Sequence, residues 1–290
     1  MYSAIAANKR KTIFIMLLFI FIIAVLGVIF SYLYGDLSIF YMCLVGAVIY
    51  SAIQYFAGSS LALAMTGARQ IKKSDDPRLF RVVENLSIST GMPMPKVYII
   101  DDPGLNAFAT GRDPKNASVA VTSGLLAVMN KSELEAVMAH ELGHVQNYDI
   151  RVMMIVFALV AAIGFIADML IRFTWFGDRD RNVHPIVLIV GLAAAVIAPF
   201  VAFMVQLAVS RRREFLADST AALTTRYPDA LADALQKIHD HGSVLKSQNS
   251  STAHFFFANP LKPGMFAKFF STHPPVGERI ARLRAMSDKL

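Results

Sequence analysis

The residues best suited to chemistry in this chain are His140, Glu141 and His144, in the pattern His-Glu-Leu-Gly-His. Histidines four positions apart lie on one face of a helix, so both imidazoles can bind one metal ion. Glu141 lies about 100° round the helix from His140, out of reach of the same coordination shell but able to contact a metal-bound water. The pattern predicts a zinc ion that lowers the pKa of that water towards about 7, with Glu141 as the base that takes its proton.

A catalytic zinc site needs a third protein ligand and one open position. The candidate is Glu214, which directly follows three arginines at 211–213. If the two apolar segments between His144 and Glu214 form a hairpin, both residues meet at the same membrane face. Asp218, one helical turn later, is placed to accept the free N–H of a ligand histidine. The alternative is that Glu214 and Asp218 are ordinary solvated charges beside an arginine cluster.

Four apolar segments must hold these residues at a membrane. The first two, Thr12–Phe30 and Leu37–Phe56, carry no charge, and the turn between them has no Lys or Arg. The first is longer than the apolar core of a signal peptide, so we expect a retained span. Since Lys9-Arg10-Lys11 precedes it, the positive-inside rule assigns the N-terminus and residue 60 onward to the cytoplasm.

The other two segments, Met153–Ile171 and Ile186–Val209, predict a second hairpin that returns the chain to its starting side. The first of them contains one charge, Asp168. The loop between the segments carries three arginines, which departs from the positive-inside pattern. A membrane-dipping or cavity-lining pair of helices is therefore the alternative to two full spans.

The polar part between the hairpins, residues 60–150, predicts a small α/β unit. Pro77 can open a helix that Gly91 closes, and Ser132 can start the helix of the two histidines, with Glu135 completing a capping box. After the second hairpin, residues 211–240 and 275–288 are typical of helices, and 243–251 of a mobile loop. The extended runs expected in the first unit are Val97–Ile100, Asn106–Thr110 and Ser118–Val121.

Composition also points to a membrane protein. Apolar residues make up 55% of the chain and charged residues 17%, with a mean hydropathy of +0.49. A soluble domain has more charge, so this apolar excess must be covered by lipid. The net charge of +7 comes from basic residues that cluster at the ends of the apolar segments, which favours lipid headgroups and excludes nucleic acid as a partner. The single cysteine, Cys43, excludes a disulfide framework and a cysteine-rich zinc cluster.

Two functions other than proteolysis fit parts of this pattern. A membrane scaffold or chaperone-like protein would hold zinc only structurally, but a closed site needs a fourth protein ligand. No residue is placed to supply one, and Glu141 argues for chemistry. A transporter could pass metal along the histidine pair, but the predicted histidine helix lies mostly outside the apolar segments.

The sequence closely resembles the HtpX heat-shock membrane proteases, which are relatives of the CAAX-prenyl endopeptidases. The resemblance covers nearly the whole chain, with the motifs in the order of the family. The matching motifs are Asn106–Gly111, Thr122–Leu126, His140–His144, Arg213–Asp218, Thr272–Pro275 and Glu278–Ile280.

The resemblance implies that Glu214 is the third ligand of one Zn²⁺ per chain and that Asp218 supports the site. It also implies that His273 lies near the active site, where it could stabilise the oxyanion; the alternative is a histidine in a turn before two prolines. The resemblance also implies that Asn106–Thr110 is the edge strand against which substrate lies, and an edge strand can bind any extended peptide through its backbone. The substrate-binding residues expected on it are Asn106, Ala107, Phe108 and Ala109.

Together these inferences predict an α-helical membrane protein with a small α+β, zincin-like (gluzincin) metalloprotease domain and four transmembrane helices in two hairpins. We expect a membrane hairpin at 1–59, the catalytic part at 60–151, a second hairpin at 152–210 and a helical part at 211–290 that completes the zinc site. The resemblance implies a zinc endopeptidase of the bacterial inner membrane with a cytoplasmic N-terminus and catalytic domain. Its expected substrates are misfolded or damaged membrane proteins, cleared under stress in cooperation with other quality-control proteases.

Overall fold

The computed structural model describes residues 2–156, 158–159, 162, 211–241, 256–257 and 274–287. It begins with a hairpin of two long helices, α1 (Tyr2–Tyr34) and α2 (Ser38–Met65). Both are long and apolar enough to cross a membrane. Most of the large apolar side chains that are exposed in the described residues lie on this hairpin, where lipid would cover them. The hairpin therefore confirms the first two predicted apolar helices and extends both of them.

The chain then forms a sheet in the order β1-β2-β4-β3. β2 and β4 are parallel, and the other neighbours are antiparallel. Within the described residues, β3 therefore lies at one edge, and all three predicted extended runs are strands. The strands are β1 (Arg69–Gln70), β2 (Lys96–Ile100), β3 (Ala107–Gly111) and β4 (Ala117–Thr122).

The two faces of this sheet belong to different hydrophobic cores. Because side chains alternate along a strand, Ala107 and Ala109 point to one face and Phe108 to the other. The alanines join the core of the catalytic part, whereas Phe108 and Ala120 join the core that includes the membrane hairpin. The sheet thus ties the catalytic part to the membrane helices.

Helix α3 (Pro77–Thr90) connects β1 to β2 and begins and ends as predicted. The Asp76 carboxylate accepts a hydrogen bond of 2.9 Å from the Leu79 N–H, and Pro77 stands at the first helical position, where a missing N–H costs nothing. Gly91 ends the helix with a φ of 66°, which glycine adopts without strain.

Two helices follow β4, α4 (Ser123–Val128) and α5 (Lys131–Gln146), and α5 carries the histidine pattern. The predicted capping box of Ser132 and Glu135 is wrong. Asn130 caps α5, and the Glu133 carboxylate accepts in return from the Asn130 N–H at 2.8 Å. An Asn-x-x-Glu pair satisfies the first N–H groups as well as a serine box does, so the helix begins earlier.

A further helix, α6, starts at residue 149 and is described as far as 156. It packs on the membrane hairpin, and beyond it the Tyr50 hydroxyl donates to the Ala158 carbonyl at 2.7 Å. The rest of the second predicted hairpin lies outside the described residues. So do Asp168 and the loop predicted at 243–251.

Three helices complete the described fold: α7 (Arg211–Thr225), α8 (Pro228–His241) and α9 (Val276–Ser287). The prediction of helix at 211–240 is confirmed except for a break at 226–227. Arg226 takes a φ of 54°, and Pro228 opens a new helix, because a proline ring cannot continue the helix before it. α7 and α8 pack against α5, and α9 packs against both α7 and α8.

Candidate metal centre

The metal-binding side chains predicted from the sequence lie together in the interior. His140 and His144 project from one face of α5, and their Nε2 atoms are 3.1 Å apart. Glu214, on α7, brings its carboxylate to 3.5 Å from His144 Nε2 and 3.9 Å from His140 Nε2. All three side chains are buried. The hairpin argument from the sequence thus predicted the right neighbours.

These separations fit a zinc ion. A tetrahedral ion with bonds of about 2.1 Å holds its ligand atoms about 3.4 Å apart, inside the range seen here. Two imidazole nitrogens and one carboxylate oxygen are also the donor set of many catalytic zinc sites, which keep a fourth position for water. That these three side chains bind a metal stays a prediction, because the distances describe only the positions of the side chains.

His140 is oriented by a carboxylate from α7. Asp218 Oδ1 lies 3.0 Å from His140 Nδ1, as the one-turn spacing from Glu214 predicted. Arg279, on α9, donates from Nε to Asp218 Oδ2 at 2.9 Å and from Nη2 to Oδ1 at 2.7 Å. Its side chain is 1% exposed. A neutral His140 that donates its Nδ1–H to Asp218 presents the Nε2 lone pair to the metal position.

His144 is oriented in the same way by a residue that sequence reasoning missed. Asp149 Oδ2 lies 3.1 Å from His144 Nδ1, and this carboxylate is 1% exposed. Asp149 begins α6, just after a turn through Asn147 and Tyr148. A lone acid in the short polar break between the histidine helix and the third apolar segment was the available signal. The role of Arg279 was missed too, although its motif was part of the resemblance.

The surroundings shift the pKa values of the two histidines in opposite directions. Burial lowers the pKa of His140 to about 4, and the positive charge of Arg279 offsets the attraction of Asp218 that would raise it. Burial would also lower the pKa of His144, but the Asp149 and Glu214 carboxylates outweigh it and raise this pKa to about 9. Burial raises and Arg279 lowers the pKa of Asp218, and the net effect brings it to about 2.

A small cavity opens beside the three predicted ligands. Glu141, Ala109 and Met153 line it together with Phe256 and Phe257. Glu141 is 2% exposed and faces the same cavity as both histidines, which is where a base for a metal-bound water must lie. The catalytic role of Glu141 stays a prediction from the sequence.

The predicted substrate strand coincides with β3. Asn106 stands just before it, and its N–H donates to the Thr122 hydroxyl at 3.0 Å while that hydroxyl donates to the Asn106 carbonyl at 2.9 Å. Phe108 packs its ring against Phe256, with centroids 5.1 Å apart. Of the four predicted substrate residues, Ala109 lines the cavity. His273 lies outside the described residues.

Phe257 occupies the outer edge of β3. Its N–H donates to the Ala107 carbonyl at 2.8 Å. Its ring lies edge-on to His140 with centroids 4.9 Å apart, and the Arg279 guanidinium lies 4.8 Å from its centroid. Phe257 therefore already makes one backbone hydrogen bond to the edge of β3, beside the predicted metal ligands.

Comparison with known proteins agrees with this architecture. The family model described as Peptidase family M48 matches residues 73–287. A protein named Protease HtpX homolog from Tropheryma whipplei (strain Twist) is 54% identical over 100% of this chain and 99% of its own length. Another of that name from Streptococcus pneumoniae (strain Hungary19A-6) is 43% identical, over 99% of this chain and 100% of its own.

Among solved structures, S. mikatae Ste24p aligns with a TM-score of 0.52 and 19% identity, covering 98% of this chain and 67% of that one. This likeness shows a shared membrane fold. The resemblance read from the motifs is confirmed by the full-length matches to HtpX-named relatives. The chain therefore belongs to peptidase family M48 and is a membrane metalloprotease.

Proposed function

We propose that this metalloprotease is a zinc endopeptidase of the bacterial inner membrane that cuts misfolded or damaged membrane proteins on the cytoplasmic side. The observation that carries the proposal is the cluster of His140, His144 and Glu214, whose ligand atoms lie 3.1 to 3.9 Å apart. Each histidine has a carboxylate on its Nδ1 atom, an arrangement that directs Nε2 at a metal.

The proposed chemistry is hydrolysis of a peptide bond. His140, His144 and Glu214 would hold the zinc, which when bound would lower the pKa of a coordinated water to about 7 and polarise the peptide carbonyl. Glu141 accepts the proton of the attacking water and passes it to the leaving amine, which is the work of a general base and then a general acid. The surrounding apolar side chains of Met153, Phe256 and Phe257 limit access of bulk water to the same cavity.

The cytoplasmic orientation rests on the position of the centre along α1. The N-terminal end of that helix contacts the metal centre, since Asn8 lies 2.8 Å from Asp149. Lys9, Arg10 and Lys11 follow at once, and such a basic cluster stays on the cytoplasmic side. The catalytic part therefore shares that side. The third and fourth apolar segments, Met153–Ile171 and Ile186–Val209, complete the proposed topology of four spans.

An extended peptide binds, in this proposal, as a further strand on β3. Backbone groups alternate in direction along a strand, so Ala107 and Ala109 point the same way. The Ala107 carbonyl accepts from Phe257, so the backbone groups of Ala107 and Ala109 lie on the edge of β3 that faces away from β4. Backbone pairing makes little demand on side-chain sequence, which suits an enzyme that clears unfolded chains. The incoming peptide takes over the position held by Phe257.

The catalytic assignment is tested on the full-length protein in detergent, with casein as the unfolded substrate. We expect Glu141→Gln to keep its zinc and lose at least about 100-fold in rate, the lower bound for loss of a general base. Glu214→Ala should lose both zinc and cleavage. Glu135→Gln, an equal change elsewhere on α5, is the matched control. Cleavage by Glu141→Gln at the rate of the control would refute the proposal.

The strand proposal has its own kinetic test. Phe257→Ala removes the ring that packs against His140 and Arg279, so displacement by substrate becomes easier. KM for casein should fall several-fold with kcat and zinc content unchanged. An increase in KM would mean that the ring forms part of the substrate pocket, and the displacement idea would then be wrong.

A further inference from the structure

Asn8 is a buried polar residue near the start of a membrane helix, and its contacts are with the metal centre. Its side chain is 3% exposed. The Nδ2 group donates to Asp149 Oδ1 at 2.8 Å and to the Asn147 carbonyl at 2.8 Å. Both N–H bonds of one amide therefore end on the same short turn, between α5 and α6.

These contacts connect α1 to a predicted metal ligand through a single carboxylate. Asp149 uses Oδ1 for Asn8 and Oδ2 for His144 Nδ1, which lies 3.1 Å away. Because Asn8 holds the far oxygen, the carboxylate cannot rotate without breaking a buried hydrogen bond. The orientation of the His144 ring thus depends on a residue 136 positions earlier in the sequence.

The turn that carries Asp149 needs such support. Tyr148 takes a φ of 61°, which is unfavourable for a residue with a bulky side chain. The Lys9 ammonium lies 4.8 Å from the Tyr148 ring centroid, and the Arg151 guanidinium lies 4.8 Å from it as well. α1 therefore contributes two neighbouring residues, Asn8 and Lys9, to one strained turn.

Asn8 is also the closest donor to the Asp149 carboxylate apart from the histidine. The Arg213 guanidinium also lies near this group, with its Nε at 3.5 Å from Oδ1, a longer contact than the 2.8 Å of Asn8. The Asn8 amide thus fixes the carboxylate through a short neutral contact, while the Arg213 charge lies beside the same oxygen at a longer distance.

We infer that Asn8 is a positioning residue of the metal centre, which fixes Asp149 and through it the His144 imidazole. The membrane helix α1 is then part of the catalytic apparatus as well as an anchor. The inference rests on the proposed zinc site. The family model begins at residue 73, so it does not include this helix.

The test compares Asn8→Leu with Thr12→Val in the full-length protein. Leucine matches the shape of asparagine but donates nothing. Thr12 is equally buried one turn later, and its hydroxyl donates at 2.9 Å to the Asn8 carbonyl within α1. We expect Asn8→Leu to weaken zinc binding about 10- to 100-fold, measured by competition with a chelator, as for other residues that orient a metal ligand. Thr12→Val should match the wild type.

Two further measurements separate positioning from general destabilisation. In the zinc-free protein, amide hydrogen exchange at 147–149 should speed up in Asn8→Leu but not in Thr12→Val. In an Asp149→Asn background, Asn8→Leu should cost less than twofold more in zinc affinity. For the wild-type background we also expect a lower kcat with KM unchanged, and partial rescue by Asn8→Gln.

The inference is overturned if Asn8→Leu holds zinc like the wild type, or if its effect is undiminished beside Asp149→Asn. If the wild type itself binds no zinc, the proposed function fails. The positioning role of Asn8 is then tested only by amide hydrogen exchange in Asn8→Leu and Thr12→Val. Unchanged exchange at 147–149 in Asn8→Leu would then refute the positioning role.

Discussion

Each of the two histidines of the candidate centre has an aspartate at its Nδ1 atom, but the charges around the two aspartates differ. Asp218 and Asp149 lie 3.0 and 3.1 Å from the Nδ1 atoms of their histidines. On one side Arg279 covers the carboxylate with two charged hydrogen bonds, and the pKa of His140 falls to about 4. On the other side, where His144 lies, the pKa rises to about 9.

The difference shows that a carboxylate alone does not set the charge of the imidazole it contacts. A buried guanidinium neutralises Asp218, so burial dominates at His140 and favours the uncharged ring. Asp149 has a neutral amide at 2.8 Å and its cation, Arg213, at the longer distance of 3.5 Å, and together with Glu214 it outweighs the effect of burial on the pKa of His144. A contact between aspartate and histidine can thus favour either the neutral or the protonated imidazole, depending on the charges that neighbour the aspartate.

Among changes that test this difference between the two histidines, Arg279→Met should have the largest effect on stability. It leaves Asp218 buried without its cation, and breaking a buried ion pair in this way costs about 3 to 5 kcal/mol of stability. We expect a large drop in the thermal unfolding midpoint in detergent.

Removing both charges separates the ion pair from simple packing. Asp218→Asn combined with Arg279→Met should be less destabilised than the sum of the single changes. Simple addition of the two effects would show that the pair is not coupled.

A smaller effect should distinguish the two carboxylates. Asp149→Asn and Asp218→Asn should each weaken zinc binding about 10- to 100-fold, because each loses an acceptor that orients a ligand. Asp218→Asn should also lower the unfolding midpoint, since it removes the charged partner that accepts both close hydrogen bonds of Arg279, whereas Asp149→Asn should lower it less. Chelator competition and thermal unfolding on the same samples measure both quantities, and equal midpoints would remove the distinction.

The smallest effect should come from an arginine that looks similar but is exposed. Arg284 on α9 contacts Asp229 and Asp233 at 2.5 Å each, with 47% of its side chain exposed. Water screens such pairs, so Arg284→Gln should cost less than about 1 kcal/mol. Zinc affinity should not change. A loss as large as that of Arg279→Met would mean that position in α9, rather than burial of charge, explains both.

Local spacing predicted the part of the site that lies within single helices. His140 and His144 are four residues apart, and Glu214 and Asp218 are too, so helical periodicity places each pair on one face. Asp149, Arg279 and Asn8 could not be assigned in this way. Their partners are on other helices, and no periodic pattern relates Asn8 to a residue 141 positions later.

The fold was predictable to a similar degree. Pro77 and Gly91 predicted the two ends of α3, and the lengths of the first two apolar segments predicted α1 and α2. Errors arose where two local patterns competed, as at the start of α5, where Asn130 and Ser132 both precede a suitable glutamate. The break before Pro228 was missed even though a proline is a signal that ends the helix before it.

The position of Arg279 has a consequence for biosynthesis. A ribosome makes Asn8 first, the histidines of α5 next and α9 long afterwards, so the charge that supports His140 is added last. A nascent chain that already carries both histidines and Glu214 lacks the partner of Asp218 until α9 has emerged and packed. The contacts around Asp218 can thus be completed only after the residues of all the earlier helices have been synthesised.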